Sequence, residues 1–466
     1  MFYLCFTVLN SMKLFLSFFF LLSFHVDGQL SKNVILLDNW YSDTIIANSS
    51  LVRFSDCWGY SQNGEEYAML GSTEGTHYFH IVNDQLIHKD FIPGNFISTT
   101  VVHRDLKTYL NYAYLVCDEG PSKLQIVDLS YLPDSVHLVA ELETNFGRVH
   151  NLFIDSVNAL MYACMVTPIV NGNPTSLISM RVFSLADPVN PLLVYQGPND
   201  IPEVHDCYVR DNIAILNCGF DGMRVYDFTN PASPVFIQNI EFYQDQGYNH
   251  QGWLTPDGKN YIFGDETNGM RLKKWTFSEN QLTASNLFGT NYQSNSVPHN
   301  IMATNEYAFV AYYNEGLRIY DIRSTPKEVA FYDTYPTDFF YKMNGAWGIY
   351  SELPSQRLLV SDRQNGLFLL DFDRSALLNS SEDVFVYPTI VNSSGELTIQ
   401  LEVDLSNNFE VQLFAVNGDL IQTYQFYNQT YGKVQLPVNA GIYFVKVKYI
   451  DYLEDEISVV KKIVVY

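Results

Sequence analysis

Positive charge is scarce in this chain of 466 residues: 27 lysines and arginines stand against 51 aspartates and glutamates, a formal net charge of -24. That field repels phosphate backbones and anionic headgroups, which excludes nucleic acid as a partner. Cysteine is equally thin. There are six, with no CxxC or metal-finger spacing among them, so neither a disulfide framework nor a structural zinc module is indicated. Cys57, Cys117, Cys164, Cys207 and Cys218 each sit among apolar residues and read as small buried hydrophobes. The signatures of a GxSxG elbow, an HExxH helix, a P-loop and a nucleobase deaminase are all missing. Long apolar runs are missing too, apart from LFLSFFFLLSF after Lys13. It falls well short of the ~20 residues a spanning helix needs, so no transmembrane anchor is expected. With Val26 and Gly28 behind it in a small-residue cleavage pattern, residues 1–28 read as a secretory signal peptide cut after Gly28. Met12 is a more natural start than Met1, because Lys13 then directly precedes the run.

What the chain has in plenty is apolar and aromatic surface, 47% and 15% of residues, which excludes disorder as the main state. It is also repetitive. KLQIVDL from Lys123, GMRVYDF from Gly222, GLRIYDI from Gly316 and GLFLLDF from Gly366 are copies of one alternating strand pattern ending at Asp128, Asp227, Asp321 and Asp371. Asp227 and Asp321 are 94 residues apart, two periods of 47, and Asp371 follows 50 further on. Proline-marked turns such as TNPASPV from Thr229 come next, and a second strand precedes each pattern, as in NEYAFVAYY from Asn305. Four strands in ~48 residues make one propeller blade.

First strands begin near Asp56, Arg104, His150, His205, His250, His299 and Ala346, which gives seven blades over residues 29–373. The seventh lacks a fourth strand, and the strand-like segment Asn33 to Trp40 has no blade of its own. The expected architecture is therefore all-β: a seven-bladed propeller closed by that N-terminal strand, which leaves no unpaired edge. A linker at 374–386 leads to short strands over 387–466, including a hairpin turning at Asn417-Gly418, expected to form a small β-sandwich. Tyrosine and phenylalanine suit strands and the wedge between sheets, so 33 and 32 of them need no ligand to explain them.

CWGY from Cys57, YAMLGSTEGTHYFHI from Tyr67, HNLFID from His150, YNHQGWLTPDGKNYIFGDE from Tyr248 and GAWGIY from Gly345 fall in order along the chain. Together they resemble the choice-of-anchor B family, built from LVIVD-type propeller repeats, over nearly all of residues 34–372. The resemblance implies an exported propeller but no reaction. The tail, with Tyr387-Pro388, Asn417-Gly418, the run from Ala440 to Val447 and Lys461 to Val465, resembles the type A sorting domain of the type IX secretion system of Bacteroidetes. That likeness implies passage through the periplasm and recognition of the tail by the type IX secretion machinery, leaving the protein at the outer cell surface or extracellular.

In a propeller, equivalent positions in successive blades converge on one axis. His150, His205, His250 and His299 share a register, with Asp206 following His205; Asp56 lies at the matching place in blade one and Arg104-Asp105 in blade two. Three uses of this rim compete. Each histidine caps its strand by bonding a neighbouring blade. Alternatively the rim holds a divalent metal ion, zinc on the imidazoles of His205 and His250 or calcium on Asp56, Asp105 and Asp206. Or a neutral histidine beside Asp105 or Asp206 acts as general base, with Arg104 facing a developing anion. Asp265-Glu266, a carboxylate pair at a strand end, suits either the metal or the catalytic site, though a solvated turn is the favoured reading. The expected function is a cell-surface binding or scaffold module with a glycan or protein ligand; the alternative is a metal-assisted extracellular hydrolase or lyase at the same rim.

Overall fold

The computed structural model describes residues 31–289, 297–336, 343–374, 384–387, 390–391, 395–401, 408–436, 439–450 and 456–465. The expected signal peptide, Pro388 and most of the expected linker lie outside them. The described chain is all-β, in many small antiparallel sheets, and no helix among the described residues is long and apolar enough to cross a membrane.

Seven of the sheets follow one another along the sequence in up-and-down order: five of four strands, the sixth of four with the short Ser31–Lys32 added at its outer edge, and the seventh of three completed by Val34–Trp40. The first comprises Phe54–Gln62, Glu65–Ser72, Gly75–Val82 and Gln85–Pro93. The first strands of the others are Arg104–Tyr109, Arg148–Asp155, Asp206–Arg210, Asn249–Leu254, Ile301–Ala303 and Ala346–Tyr350. First strands of consecutive sheets are neighbours, and Ala346–Tyr350 lies beside Phe54–Gln62. These strand groups are blade-like and fit a β-propeller. A short hairpin, Ile169–Val170 with Asn173–Pro174, is inserted within the third sheet and accounts for the longer interval between His150 and His205.

Apolar cores lie between the sheets. Tyr67 and Met69 of the first pack with Leu106 and Leu115 of the second, and Cys164 and Val182 of the third with Cys207 and Leu216 of the fourth. Leu359 and Leu367 of the seventh pack with Phe54 and Leu70 of the first. Middle strands are thus buried on both faces, which is why the run from Ile213 to Leu216 and Tyr307–Tyr312 are apolar throughout rather than alternating. All five cysteines in the described part are buried free thiols, with Cys164 and Cys207 sulfurs 3.8 Å apart.

The repeated aspartate has a local cause. Its carboxylate accepts the backbone N–H two residues on, from Asp128 to Ser130 (2.9 Å), Asp227 to Thr229 (2.7 Å) and Asp321 to Arg323 (3.0 Å), and so shapes the turn into the fourth strand. Among the described residues no fourth strand of this sheet follows Asp371, whose carboxylate pairs with Arg357 at 2.7 Å.

The missing strand comes from the other end of the chain. Val34–Trp40 pairs antiparallel with Gly366–Phe372, Val34 opposite Phe372 and Trp40 opposite Leu367. The glycine opening the third strand shows the equivalence. Gly222, Gly316 and Gly366 have φ of +77°, +73° and +90°, and a Cβ on them would lie 2.1, 2.2 and 2.0 Å from the carbonyl oxygens of Ile240, Tyr332 and Trp40. Trp40 therefore occupies the place in the seventh sheet that Ile240 and Tyr332 hold at the ends of genuine fourth strands. Gly316→Ala should lower stability by about 2–4 kcal/mol, strain at positive φ adding to the carbonyl clash. Unfolding melts check this; a loss below about 0.5 kcal/mol would mean the backbone relaxes at no cost.

Beyond the seventh sheet, a three-stranded sheet, Val384–Tyr387, Glu396–Leu401 and Tyr431–Gln435, shares one core with a five-stranded sheet. Leu397, Ile399 and Val434 pack there against Val411, Leu413, Val445, Val447 and Ile463. Gly418, at φ +91°, turns the hairpin between Phe409–Ala415 and Leu420–Phe426.

Candidate functional site

Two layers of polar side chains meet between the first strands. The outer layer is aromatic. His103 stacks on His150 with ring centroids 4.1 Å apart; His150, His205, His250 and His299 follow at 4.3 Å intervals; Trp347 lies 4.0 Å from His299 and 5.4 Å from His103. Five imidazoles and an indole thus form a closed circuit. The structure brings together the four predicted histidines and adds His103 and Trp347.

Arg104, the expected counterpart of His150, points elsewhere: its Nε and Nη2 donate to the carbonyls of Ser72 and Phe96, each at 2.6 Å. The guanidinium is spent on backbone of the first sheet and the loop after it, so the expected role beside a developing anion is not supported by this placement. His103 fills the vacated space.

Hydrogen bonds set the ring tautomers. Nδ1–H of His205 donates to the His250 carbonyl (3.1 Å), and Nδ1–H of His299 to the Trp347 carbonyl (2.8 Å), so each ring bonds the next sheet and keeps Nε2 as a lone-pair donor. Burial holds His205 and His299 well below the usual imidazole range; neighbouring imidazoles add to the effect. His250 is pushed down to about 4 by burial, against the pull of Glu266. His150 goes the other way: burial opposes its charge, but the hydrogen bond to Asp118 (2.8 Å) and nearby carboxylates outweigh it and raise it.

The inner layer is acidic and holds its own cation. Asp56, Lys107, Asn151, Asp206, Gln251 and Asn300 line, with Trp58, Trp253 and Ile349, a cavity of about 20 Å³ to which all seven sheets contribute. That is room for about one water. Lys107 Nζ lies 2.6 Å from Asp105 and 3.6 Å from Asp56, and 4.4 Å over the Trp58 ring. Three carboxyls share this one ammonium. Burial pushes Asp56 well above the carboxylate range and Asp206 up to about 7, Lys107 opposing both shifts. The second carboxylate oxygen of Asp105 accepts Leu152 N–H at 2.6 Å, and Gln251 exchanges two hydrogen bonds with Ile301, so this layer also ties sheet to sheet. The oxygen cluster expected to suit calcium thus already holds a cation of its own, the Lys107 ammonium.

Asp265-Glu266 departs from the expected solvated turn. Asp265 is fully buried, ion-paired to Lys273 and accepting from Tyr243 Oη at 2.5 Å. Its neighbour Glu266 turns to the ring, where it accepts from Tyr313 Oη and lies 4.0 Å from His299 Nε2. A strand-end pair projects to opposite faces, and only one of the two positions meets the axis. At the ring's edge Tyr248 meets His205 edge-on at 5.2 Å, and Phe220, 75% exposed, meets Tyr248 at 5.1 Å.

No family model matches the chain, and no curated protein matches it.

Proposed function

We propose that this protein is an exported β-propeller binding module whose ligand sits on the ringed end of the axis. In this reading the seven sheets close into seven blades, locked by Val34–Trp40, and the two C-terminal sheets form a β-sandwich that addresses the chain to the type IX secretion machinery. The mature protein is then extracellular or held at the outer cell surface, having crossed the periplasm. What supports the closed ring is the neighbour relation of first strands, seventh to first included, together with a core between each successive pair. The sorting role rests on the tail motifs.

One observation carries the binding reading: the aromatic circuit runs outward through Tyr248 to a largely exposed Phe220, flanked by the part-exposed carboxylate Asp118. A solvent-facing aromatic continuous with a buried polar ring offers a stacking surface and directional hydrogen bonds together, as ligand sites do. A glycan or a protein loop fits that chemistry. A glycan and metabolite screen on the purified chain, repeated with Phe220→Ala, tests it. Expected is a ligand held at least ~10-fold more weakly by the variant, with an unchanged melting temperature because little is buried there. Equal binding by both proteins would move the site off this end.

The second reading, a metal-assisted extracellular hydrolase or lyase, is favoured by a separate observation: ligand atoms of His250, Glu266 and His299 all lie within 4.8 Å of one another.

A further inference from the structure

We propose that His250, Glu266 and His299 form a site for one divalent transition-metal ion of zinc type on the ring. The inference rests on placing the functional site at this end of the axis and names the chemistry of that site. The donors are two imidazole nitrogens and one carboxylate oxygen, from the first strand and second-strand end of the fifth sheet and from just before the first strand of the sixth. Two imidazoles with a carboxylate favour borderline ions such as zinc or cobalt over calcium, which takes oxygen ligands alone.

The supporting contacts have the form a ligand set requires. Nδ1–H of His299 is held by the Trp347 carbonyl, which leaves Nε2 as donor and fixes the ring plane. Glu266 is oriented by the Tyr313 hydroxyl. Nδ1 of His250 is buried without a hydrogen-bond partner of normal geometry among the described residues, and the His299 backbone acts on that ring as a weak acceptor. In a tetrahedral shell with bonds of about 2.05 Å the donors stand about 3.3 Å apart. The three donor atoms stand within 4.8 Å of one another, His299 Nε2 4.0 Å from Glu266, so seating the ion requires these side chains to draw together. Three protein donors leave a fourth position for water or substrate.

The test uses the full secreted chain, stripped with chelator and titrated with Zn²⁺ by calorimetry and with Co²⁺ by visible absorption. Expected are one ion per chain and tetrahedral Co²⁺ bands, both lost in Glu266→Gln and His299→Gln. His137→Gln, an exposed histidine outside the ring, should keep them. Circular dichroism melts confirm that each variant is folded. Should a variant fail to fold, the stoichiometry and Co²⁺ bands of the unmutated chain decide. Absence of stoichiometric metal, binding retained by Glu266→Gln and His299→Gln, or binding lost equally in His137→Gln would overturn the proposal. Metal retention alongside a failed glycan and metabolite screen would uphold the metal site while removing the binding-module reading; a screened ligand bound by metal-free chain with no metal uptake would do the reverse.

Discussion

Replacing Lys107 by methionine should lower stability by about 3–5 kcal/mol near pH 7.5, the range for removing one partner of a buried ion pair. Methionine keeps an unbranched side chain of nearly the same length, so the shape beside Trp58 is largely kept and the effect isolates the charge, its contact over that ring included. Without the ammonium, Asp56, Asp105 and Asp206 face one another across a cavity that admits about one water. Asp206 is already raised from 3.8 to about 7 with Lys107 in place, and Asp56 well above 3.8. Between those limits the folded protein binds more protons than the unfolded chain, so these groups make stability fall as pH rises through ~4 to ~7 and return it on acidification. Losing Lys107 extends that window upward. The deficit of the variant should therefore be largest near pH 7.5 and shrink by half or more near pH 5, where the carboxyls take up protons instead. Paired thermal melts at the two pH values check this. A variant melting within about 2 °C of the parent near pH 7.5, or equally impaired at both, would show that the ammonium is not what holds this layer.

The same residues show what could be read from sequence and what could not. The period, the strand pattern and the borrowed strand were legible because they depend on local rules: alternation, turn chemistry at Asp128, Asp227 and Asp321, and a glycine where a carbonyl approaches. The register of His150, His205, His250 and His299 was legible for the same reason, since a constant repeat converts chain distance into proximity. Arg104 misled because repeat position fixes a Cα, not a side-chain direction; backbone carbonyls at Ser72 and Phe96 outbid the axis for its guanidinium. His103, one residue earlier, swings into the space, and the only sequence signal was a histidine adjacent to an off-pattern residue. Lys107 was missed because it stands two residues past Asp105 on the same strand. On a strand that spacing puts both on one face, so a lysine there, in a chain poor in positive charge, was readable as an internal counterion. Glu266 was seen but given to solvent, because a strand-end carboxylate pair has no local feature that tells which member meets the axis.

A chain beginning at Tyr41, without the strand Val34–Trp40, should lose its cooperative melting transition or fall by well over 10 °C in melting temperature, the scale expected when several kcal/mol are removed. Three separate attachments go with that segment. The seventh sheet loses its outer strand, and Gly366–Phe372 becomes an apolar edge open to pairing with other chains. Trp40, whose ring lies 4.9 Å from Phe79 and 5.4 Å from His88, no longer joins the seventh sheet to the first. Ser31–Lys32 pairs with Lys327–Tyr332, and Asn33 Nδ2 donates to the Val329 carbonyl at 2.9 Å, so the sixth sheet is released as well. One ten-residue segment, 31–40, therefore bridges three sheets, and a cost spread over three interfaces cannot be absorbed by relaxing any one of them. If the shortened chain is insoluble, refolding it with a synthetic peptide of residues 31–41 should restore the soluble form, because strand addition needs only the free edge. A shortened chain that melts like the parent, or an insoluble one the peptide does not recover, would mean that the sheets are held together by their first strands alone and that the clasp is incidental.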